Sequence, residues 1–198
     1  MITELDSVDS TDAKHVQEGD VGFVDQRYTL FRHKTVEQTF LYAMRKLKIS
    51  KEEKLETIEK YLTTWGLEHQ RKQYPCELSG GQRQRTAIIE QILSSGHFMV
   101  LDEPFSGLDV GNIRDVKKSF DLIRNDHELN TIIYSTHDIR LAVELADNIY
   151  VVGHKDGNKE YSTIVKHYDL KEMGLAWQEY GPKHLEFQKE LTTELENS

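Results

Sequence analysis

Two acidic side chains directly after an apolar run could hold a metal ion and activate water. Asp102 and Glu103 follow Phe98–Leu101, a predicted buried strand, and Pro104 comes next. A carboxylate at the end of a strand can reach Mg²⁺, because this ion prefers one or two carboxylates beside phosphate oxygens. The adjacent carboxylate can polarise a water molecule that attacks a phosphate. The pair indicates phosphate hydrolysis, although a solvated turn after a strand uses the same residues.

A glycine-rich segment at the start of a predicted helix could bind phosphate. Ser79, Gly80 and Gly81 precede Gln82 and a helical run. Glycines let the backbone approach an anion closely, and a helix N-terminus offers free N–H groups and a partial positive charge. The serine hydroxyl adds one more donor. For these residues alone, a glycine turn before an ordinary helix is the alternative.

Three further polar residues follow predicted strands or lie in turns. His137 comes after the predicted strand Thr131–Ser135, and sites in parallel sheets gather at the carboxyl ends of strands. Gln26 follows the short predicted strand Val21–Val24, and Asp109 lies in a turn after the acidic pair. A lone histidine, glutamine or aspartate is more often structural than catalytic, so only the spacing among the motifs favours a functional role.

The elements that must position these residues are also visible in the sequence. Thr35 and Ser50 each begin a capping-box pattern, which predicts a helix from each point. Gly66 is expected to end the second helix, and a third helix is expected from Ser79. Strands and helices then alternate, which implies a parallel sheet covered on both faces. The later predicted elements are a helix at Val116–Arg124, a strand at Thr131–Ser135, a helix at Ile139–Ala146, a strand at Ile149–Val152 and a turn at Asp156–Gly157.

Composition limits the class of protein. The 198 residues suit one domain with a subdomain, and the net charge of -9 argues against a nucleic-acid binder or adhesion to anionic membranes. No apolar run approaches the ~20 residues that cross a bilayer, and the acidic N-terminus is unlike a secretory signal. The single Cys76 fits a reducing cytosol. Residues 1–20 are predicted to be a polar lead-in, and roughly the last 35 residues, including a charged tail at 171–198, are predicted to be helical and at the surface.

Taken together, the motifs resemble those of the ABC-type ATPases, in the order and at the spacing of that family. The resemblance extends from about residue 21 to residue 170. The matching residues are Gln26 for the Q-loop, Leu78–Gln82 for the signature sequence, Asp102 and Glu103 for the end of the Walker B strand, Ser106–Asp109 for the D-loop, and His137 for the switch histidine.

This resemblance implies a fold and a chemistry. The fold class is α/β, an incomplete P-loop NTPase core with a parallel sheet and a helical subdomain inserted at about residues 35–95. The implied ligands are ATP and Mg²⁺, with Asp102 and Gln26 directed to the metal. Glu103 would activate the attacking water, His137 would contact the γ-phosphate, and Gln26 would also reach that water.

The resemblance also implies partners and a location. Members of the family form head-to-tail dimers, in which the signature of one subunit contacts ATP held by the other. They work with transmembrane subunits, so we expect a cytoplasmic protein that sits on the inner face of a membrane and does not bind nucleic acid. The residues implied at the dimer interface are Ser79, Gly80, Gly81, Gln82 and Asp109.

One family motif has no counterpart in the sequence. No glycine is followed by lysine, so the G-x-x-x-x-G-K-[ST] phosphate loop is missing. Complete members carry that loop well before the Q-loop glutamine, and only 25 residues precede Gln26. We therefore expect poor ATP affinity in this chain alone. We also expect an unpaired sheet edge beside Thr131–Ser135 or Phe98–Leu101, which would invite a partner strand.

Three functions remain to be compared. The first is the ATP-hydrolysing subunit of an ABC transporter, incomplete as given, whose phosphate loop lies on another polypeptide or was lost by truncation. The second is a non-catalytic partner or regulatory subunit that completes another subunit's ATP site in trans. The third, a DNA-repair or ribosome-associated ATPase, is disfavoured because the sequence has no sustained heptads and only one cassette.

Overall fold

The computed structural model describes residues 21–95, 98–106, 114, 117–118, 120–121, 131–154, 162–176 and 178–196. The chain divides into two compact units. The first unit comprises Met1–Leu101 with Ser119–Ile133, and the second comprises Asp102–Lys118 with Tyr134–Ser198.

A three-stranded sheet is the base of the first unit. Strand β1 spans Val21–Val24, β2 spans Phe98–Leu101 and β3 spans Thr131–Tyr134, in the order β1-β2-β3. β1 and β2 are parallel, with Val21 opposite Phe98. This pairing confirms the predicted parallel sheet and brings together two segments that lie far apart in the sequence.

Three helices of this unit begin or end where local hydrogen bonds dictate. α1 spans Val36–Ala43 and α2 spans Lys51–Thr64, and both predicted capping boxes are present. The Thr35 and Ser50 side chains accept from the third helical N–H, and the residues at that position bond back to the cap. Gly66 follows α2 with φ +62°, a left-handed conformation that glycine adopts at little cost. α3 spans Gly80–Ser95.

The helices bury one apolar face each. α1 packs against α2 and α3, and α3 also packs against β1 and β2. The spacing of three or four residues between apolar positions aligns them on one side of each helix. Between strand and helix, the Phe23 N–H donates to the Gln91 side chain at 3.3 Å. The fully buried side chains include Val36, Phe40, Met44, Ile58, Leu62, Ile88 and Ile89.

An arginine joins α1 and α2 to the segment before α3. The Arg71 guanidinium pairs with Glu37 of α1 and, at 2.5 Å, with Glu59 of α2. The backbone carbonyls of Arg71 and Gln73 accept from the N–H groups of Glu37 and Val36, at 3.1 and 3.0 Å. These bonds satisfy N–H groups that the first turn of a helix leaves unpaired. The helical region therefore has polar as well as apolar ties.

The described part of the second unit includes an antiparallel strand pair and two helices. α4 spans Ile139–Leu145, β4 spans Asn148–His154, β5 spans Ser162–Asp169 and α5 spans Pro182–Glu196. β4 and β5 pair antiparallel, with a register shift between Val151 and Val152. The core cluster of this unit consists of Val143, Ile149, Leu170, Leu175, Phe187 and Leu191.

Two predictions for the C-terminal part are wrong. The strand predicted at Ile149–Val152 was expected to join the parallel sheet, but among the described residues it pairs with β5 in a separate sheet. β5 itself lies in a region for which helix is predicted. The prediction fails because the alternating pattern of the strand is short and its neighbours are strongly charged. The helix in the tail is confirmed by α5. The surface position predicted for it holds for one face of the helix, where Leu185 and Leu195 are exposed, while Phe187 and Leu191 on the other face are buried.

The far side of the three-stranded sheet keeps apolar side chains in solvent. Phe23 of β1 is 57 % exposed and Ile133 of β3 is 60 % exposed. Their neighbours on the other face, such as Val24, Met99 and Leu101, are buried. The prediction that both faces are covered therefore holds, among the described residues, for one face only. Among the described residues β3 lies at an edge of the sheet, as expected for Thr131–Ser135.

Some sequence predictions fall outside the described residues. They are the lead-in at residues 1–20, the turn at Asp156–Gly157 and most of the D-loop. In the helix predicted at Val116–Arg124, the described residues Lys117, Lys118, Phe120 and Asp121 are helical.

The burial of α5 can be tested by two matched substitutions. Leu191 is 2 % exposed and Leu195, four residues later on the same helix, is 40 % exposed. We expect Leu191→Ala to lower the free energy of unfolding by about 2–5 kcal/mol, because it leaves a cavity in the core. Leu195→Ala should change it by less than about 0.5 kcal/mol. Urea denaturation checks both values, and equal effects would show that α5 does not belong to the core.

Candidate functional site

The acidic pair occupies a strained turn directly after β2. Glu103 has φ +47°, a left-handed conformation that is uncommon for a residue with a side chain. Its carbonyl accepts from the Ser106 N–H at 3.1 Å, which closes a tight turn over Pro104 and Phe105. Phe105 is buried and meets the Tyr134 ring edge to face, with centroids 5.8 Å apart. The turn is therefore held by a backbone hydrogen bond and by the packing of Phe105 in the core.

A serine at the end of β3 joins the two carboxylate residues. The Ser135 hydroxyl donates to Asp102 Oδ1 at 2.7 Å. The same oxygen accepts from the Glu103 N–H at 3.0 Å. These contacts put the carboxyl ends of β2 and β3 at the same edge, where sites of parallel sheets are found. Sequence reasoning missed Ser135 as a site residue, and the only signal for it was its place at the end of the strand before His137.

His137 contacts the second carboxylate. Its Nδ1 lies 3.0 Å from Glu103 Oε2. The histidine side chain is 78 % exposed and that of Glu103 is 25 % exposed. Asp138 connects this contact to helix α4, because its carboxylate caps the helix by accepting from the Leu141 N–H at 3.0 Å. The cap holds the segment that carries His137.

The carboxylate changes the protonation of the histidine. The hydrogen bond that the His137 ring donates to the Glu103 carboxylate, followed by the negative charge of that carboxylate, raises the pKa of His137 above its ordinary value of 6.5. Because the folded-state pKa is the higher one, the pair stabilises the fold fully below the unfolded pKa. That contribution is lost as the pH rises through the raised pKa. Near neutral pH the histidine is thus biased toward its charged form, which suits an anionic ligand.

The glycine-rich segment caps the longest helix of the first unit. The Ser79 N–H donates to Gln82 Oε1 at 2.8 Å, and the Gln82 N–H donates to Ser79 Oγ at 3.3 Å. Leu78 is buried and anchors the segment, and a Cβ on Gly80 would meet nothing within 4 Å. Packing within the chain therefore does not explain why this position lacks a side chain. The glycine instead favours close approach of a ligand to the backbone. Gly81, one residue further on, is buried.

Gln26 lies in a turn that follows β1. The Asp25 carboxylate holds this turn by accepting from the Arg27 N–H, the Thr29 N–H and, at 2.7 Å, the Thr29 hydroxyl. The hydrogen bond from the Thr29 side chain is the main reason that the pKa of Asp25 is lowered. Gln26 itself is exposed at the end of the strand.

The structure brings together some of the predicted site residues. Asp102, Glu103 and His137 cluster in the second unit. Gln26 and the signature residues Ser79, Gly80, Gly81 and Gln82 belong to the first unit. Asp109 lies outside the described residues.

The donor set around Asp102 fits a hard cation. Carboxylate and hydroxyl oxygens are the ligands that Mg²⁺ prefers, usually one or two from the protein beside phosphate oxygens. In the part of the chain that the structure describes, no group of three or more His, Cys, Asp or Glu residues could hold a metal by itself. Within the same residues, no helix has the length and apolar character of a membrane span.

Sequence comparison matches the chain to one protein family. A family profile described as ABC transporter matches residues 3–106, more than half of the chain. The chain is similar to the sulfate/thiosulfate import ATP-binding protein CysA 2 of Shewanella oneidensis, with 37 % identity over 79 % of this chain and 45 % of that protein. Similarity to the CysA of Neisseria meningitidis is also 37 %, over 72 % of this chain and 41 % of that protein.

Comparison of structures leads to the same group of proteins. The fold is similar to that of CbiO1 from Clostridium perfringens, part of the ABC transporter complex CbiONQ. The TM-score is 0.64 at 26 % identity, over 78 % of this chain and 59 % of that one. The chain thus spans less than half the length of the two curated relatives named above.

The contact between Glu103 and His137 predicts a measurable titration. NMR of the His137 ring should give a pKa above 6.5, and Glu103→Gln should bring it back toward that value because the hydrogen bond and the charge are both weakened. Glu172→Gln removes the same charge at an exposed position and serves as the control. If the pKa of His137 is the same in the Glu103→Gln variant as in the unchanged chain, the contact is contradicted.

Proposed function

The chain belongs to the ABC transporter family, and on that premise we propose that it forms part of the ATP-hydrolysing subunit of a transporter. In this proposal it supplies the signature, Walker B, D-loop and switch-histidine residues. The observation that carries the proposal is the cluster in which Ser135 joins Asp102 to Glu103 while His137 bonds the Glu103 carboxylate. A solvated turn does not require such a set of mutual contacts.

The roles within the cluster follow from its chemistry. Glu103 is the general base that orients the attacking water, and its carboxylate is held 3.0 Å from His137 Nδ1. His137 places that charge where the γ-phosphate would lie. Asp102, with Gln26, is the residue that would hold Mg²⁺. When bound, the ion neutralises charge on the phosphate oxygens.

The signature segment acts on a different nucleotide from the cluster. The N-terminus of α3 presents backbone N–H groups and the positive end of a 16-residue helix. Ser79, Gly80, Gly81 and Gln82 would contact ATP held by a second subunit in a head-to-tail dimer, and Asp109 would connect the two sites. The open space around Gly80 supports close approach by a phosphate.

In this proposal the phosphate loop comes from residues outside this sequence. A loop of that kind supplies most of the contacts to the β- and γ-phosphates, so this chain by itself should bind ATP weakly. The edge position of β3 among the described residues supports the addition of a strand from such a polypeptide. In the complete assembly the cluster at Asp102 would then lie beside a bound nucleotide.

A surface of the helical region is proposed to face the transmembrane subunits. Phe31 and Tyr42 pack edge to face with centroids 5.0 Å apart, and both are exposed. Arg45 lies 4.2 Å and Lys34 4.9 Å from the Tyr42 ring. We call these four residues the Phe31–Tyr42 patch. An apolar centre with a cationic rim suits a protein interface, and the patch follows the turn of Gln26 in the chain.

The transported solute is not specified by these residues. In transporters of this type the membrane subunits select the solute, so a nucleotide-binding chain carries little information about it. The curated relatives are named for import of sulfate or thiosulfate. These two anions are therefore the first solutes to test, and import from outside the cell to the cytoplasmic face is the first direction.

The hydrolytic role of Glu103 can be tested in a reconstituted system. When a polypeptide with the phosphate-loop segment is added, we expect ATP hydrolysis whose kcat falls by about 10²- to 10⁴-fold in Glu103→Gln, because the general base is lost. Glu172→Gln is the control and should leave kcat unchanged. Hydrolysis that depends on Ser79 but is unchanged by Glu103→Gln would favour the alternative, a non-catalytic partner that completes another subunit's site in trans.

The proposed docking surface predicts that a negative charge introduced into the Phe31–Tyr42 patch weakens binding to the membrane subunits. Tyr42→Glu should reduce co-purification with the transporter's membrane subunits at least about tenfold, since it puts a carboxylate into the apolar centre of the patch. Tyr150→Glu, the same change at an exposed tyrosine of the second unit, is the control. Quantitative pull-down measures both. Equal retention of the two variants would contradict the proposed surface.

A further inference from the structure

The backbone N–H, the backbone carbonyl and the side-chain carboxylate of Glu103 each have a partner in the second unit. Its N–H donates to Ser135 Oγ at 3.0 Å, and its carbonyl accepts from the Ser106 N–H at 3.1 Å. Its carboxylate lies 3.0 Å from His137 Nδ1. The residue holds a left-handed φ of +47° within this set of bonds. Such a conformation persists only where the surroundings determine it.

Of these partners, Ser135 also bonds the other carboxylate residue. Its hydroxyl hydrogen is directed to Asp102 Oδ1, at 2.7 Å, and its lone pair receives the Glu103 N–H. A hydroxyl carries one donor and can accept at the same time, so both bonds can form together. An alanine at this position would leave neither bond, and a cysteine would offer only a weak donor and acceptor.

We propose that Ser135 is a positioning residue for both carboxylates, and that its hydroxyl fixes the turn in which Glu103 faces His137 and Asp102 faces outward. Ser135 touches neither substrate nor reacting atoms in this assignment, and acts through its two neighbours. The geometry stands independently of the reaction. The effect on catalysis rests on the proposed function.

Two physical features make this role separable from folding. Ser135 is exposed and lies one residue beyond the end of β3, so water can replace its hydrogen bonds when the hydroxyl is removed. The exposed position also leaves room for the additional methyl group of threonine. Ser135→Thr keeps the hydroxyl, and Ser135→Val has nearly the same shape without it. This matched pair isolates the hydrogen bonds from side-chain volume.

The first experiment uses the chain alone and needs no ATPase activity. NMR titration of the His137 ring is recorded for the unchanged chain and for the Ser135→Ala, Ser135→Thr and Ser135→Val variants. We expect the alanine and valine variants to titrate closer to the ordinary value of 6.5, because Glu103 leaves its place beside the ring. The threonine variant should titrate like the unchanged chain. Identical titration in all four, or a threonine variant that follows valine, would overturn the inference.

The second experiment measures kinetics after the phosphate-loop polypeptide is added. We expect Ser135→Val to lower kcat by about 10- to 100-fold with little change in KM for ATP, as for other residues that orient a ligand or base from behind. Ser135→Thr should restore kcat. A fall confined to KM would contradict a positioning role. A complete lack of activity in the unchanged chain would count against the proposed function alone, since the titration is judged separately.

Discussion

The pairing of β2 with β3 is the constraint on which the chemistry of this chain depends. Each strand is four residues long, and each is followed at once by polar residues. Because the strands are neighbours in the sheet, Asp102 and Ser135 come within hydrogen-bond distance at their ends. The short segments that carry the acidic pair and the histidine do not by themselves bring Glu103 and His137 together; the pairing of the two strands does. A slip of one residue in this register would turn Ser135 to the other face of the sheet and separate it from Asp102.

Local bonds explain why much of the helical region could be predicted. The boxes at Thr35 and Ser50 each close within four residues, so the sequence contains both partners of every bond. Asp102, Glu103 and His137 are predicted as site residues for a similar reason, since each lies within two residues of the end of a predicted strand. Their mutual contact agrees with the rule that strand ends gather at one edge. The parallel pairing of β1 and β2 followed from the alternation of strands and helices.

The features that escaped prediction all depend on partners far away in the sequence. Ser135 is an ordinary serine until the register of β3 places it beside Asp102. β5 pairs with β4 with a register shift between Val151 and Val152, and no local sequence pattern predicts such an irregularity. The burial of Leu191 likewise depends on a core assembled from four separate segments. The left-handed backbone of Glu103 belongs to the same class, because its cause is the set of bonds around it.

The exposed edge at β3 has a consequence for the life of the chain in a cell. Among the described residues β3 lies at the edge of the sheet and its Ile133 faces solvent, so the strand can pair with an extended segment that reaches it, including one from another copy. The lifetime of a newly synthesised molecule then depends on how soon the strand that normally pairs with β3 binds. Abundance of such a chain would follow the supply of that strand more closely than its own rate of synthesis, since uncovered copies are removed by aggregation or proteolysis.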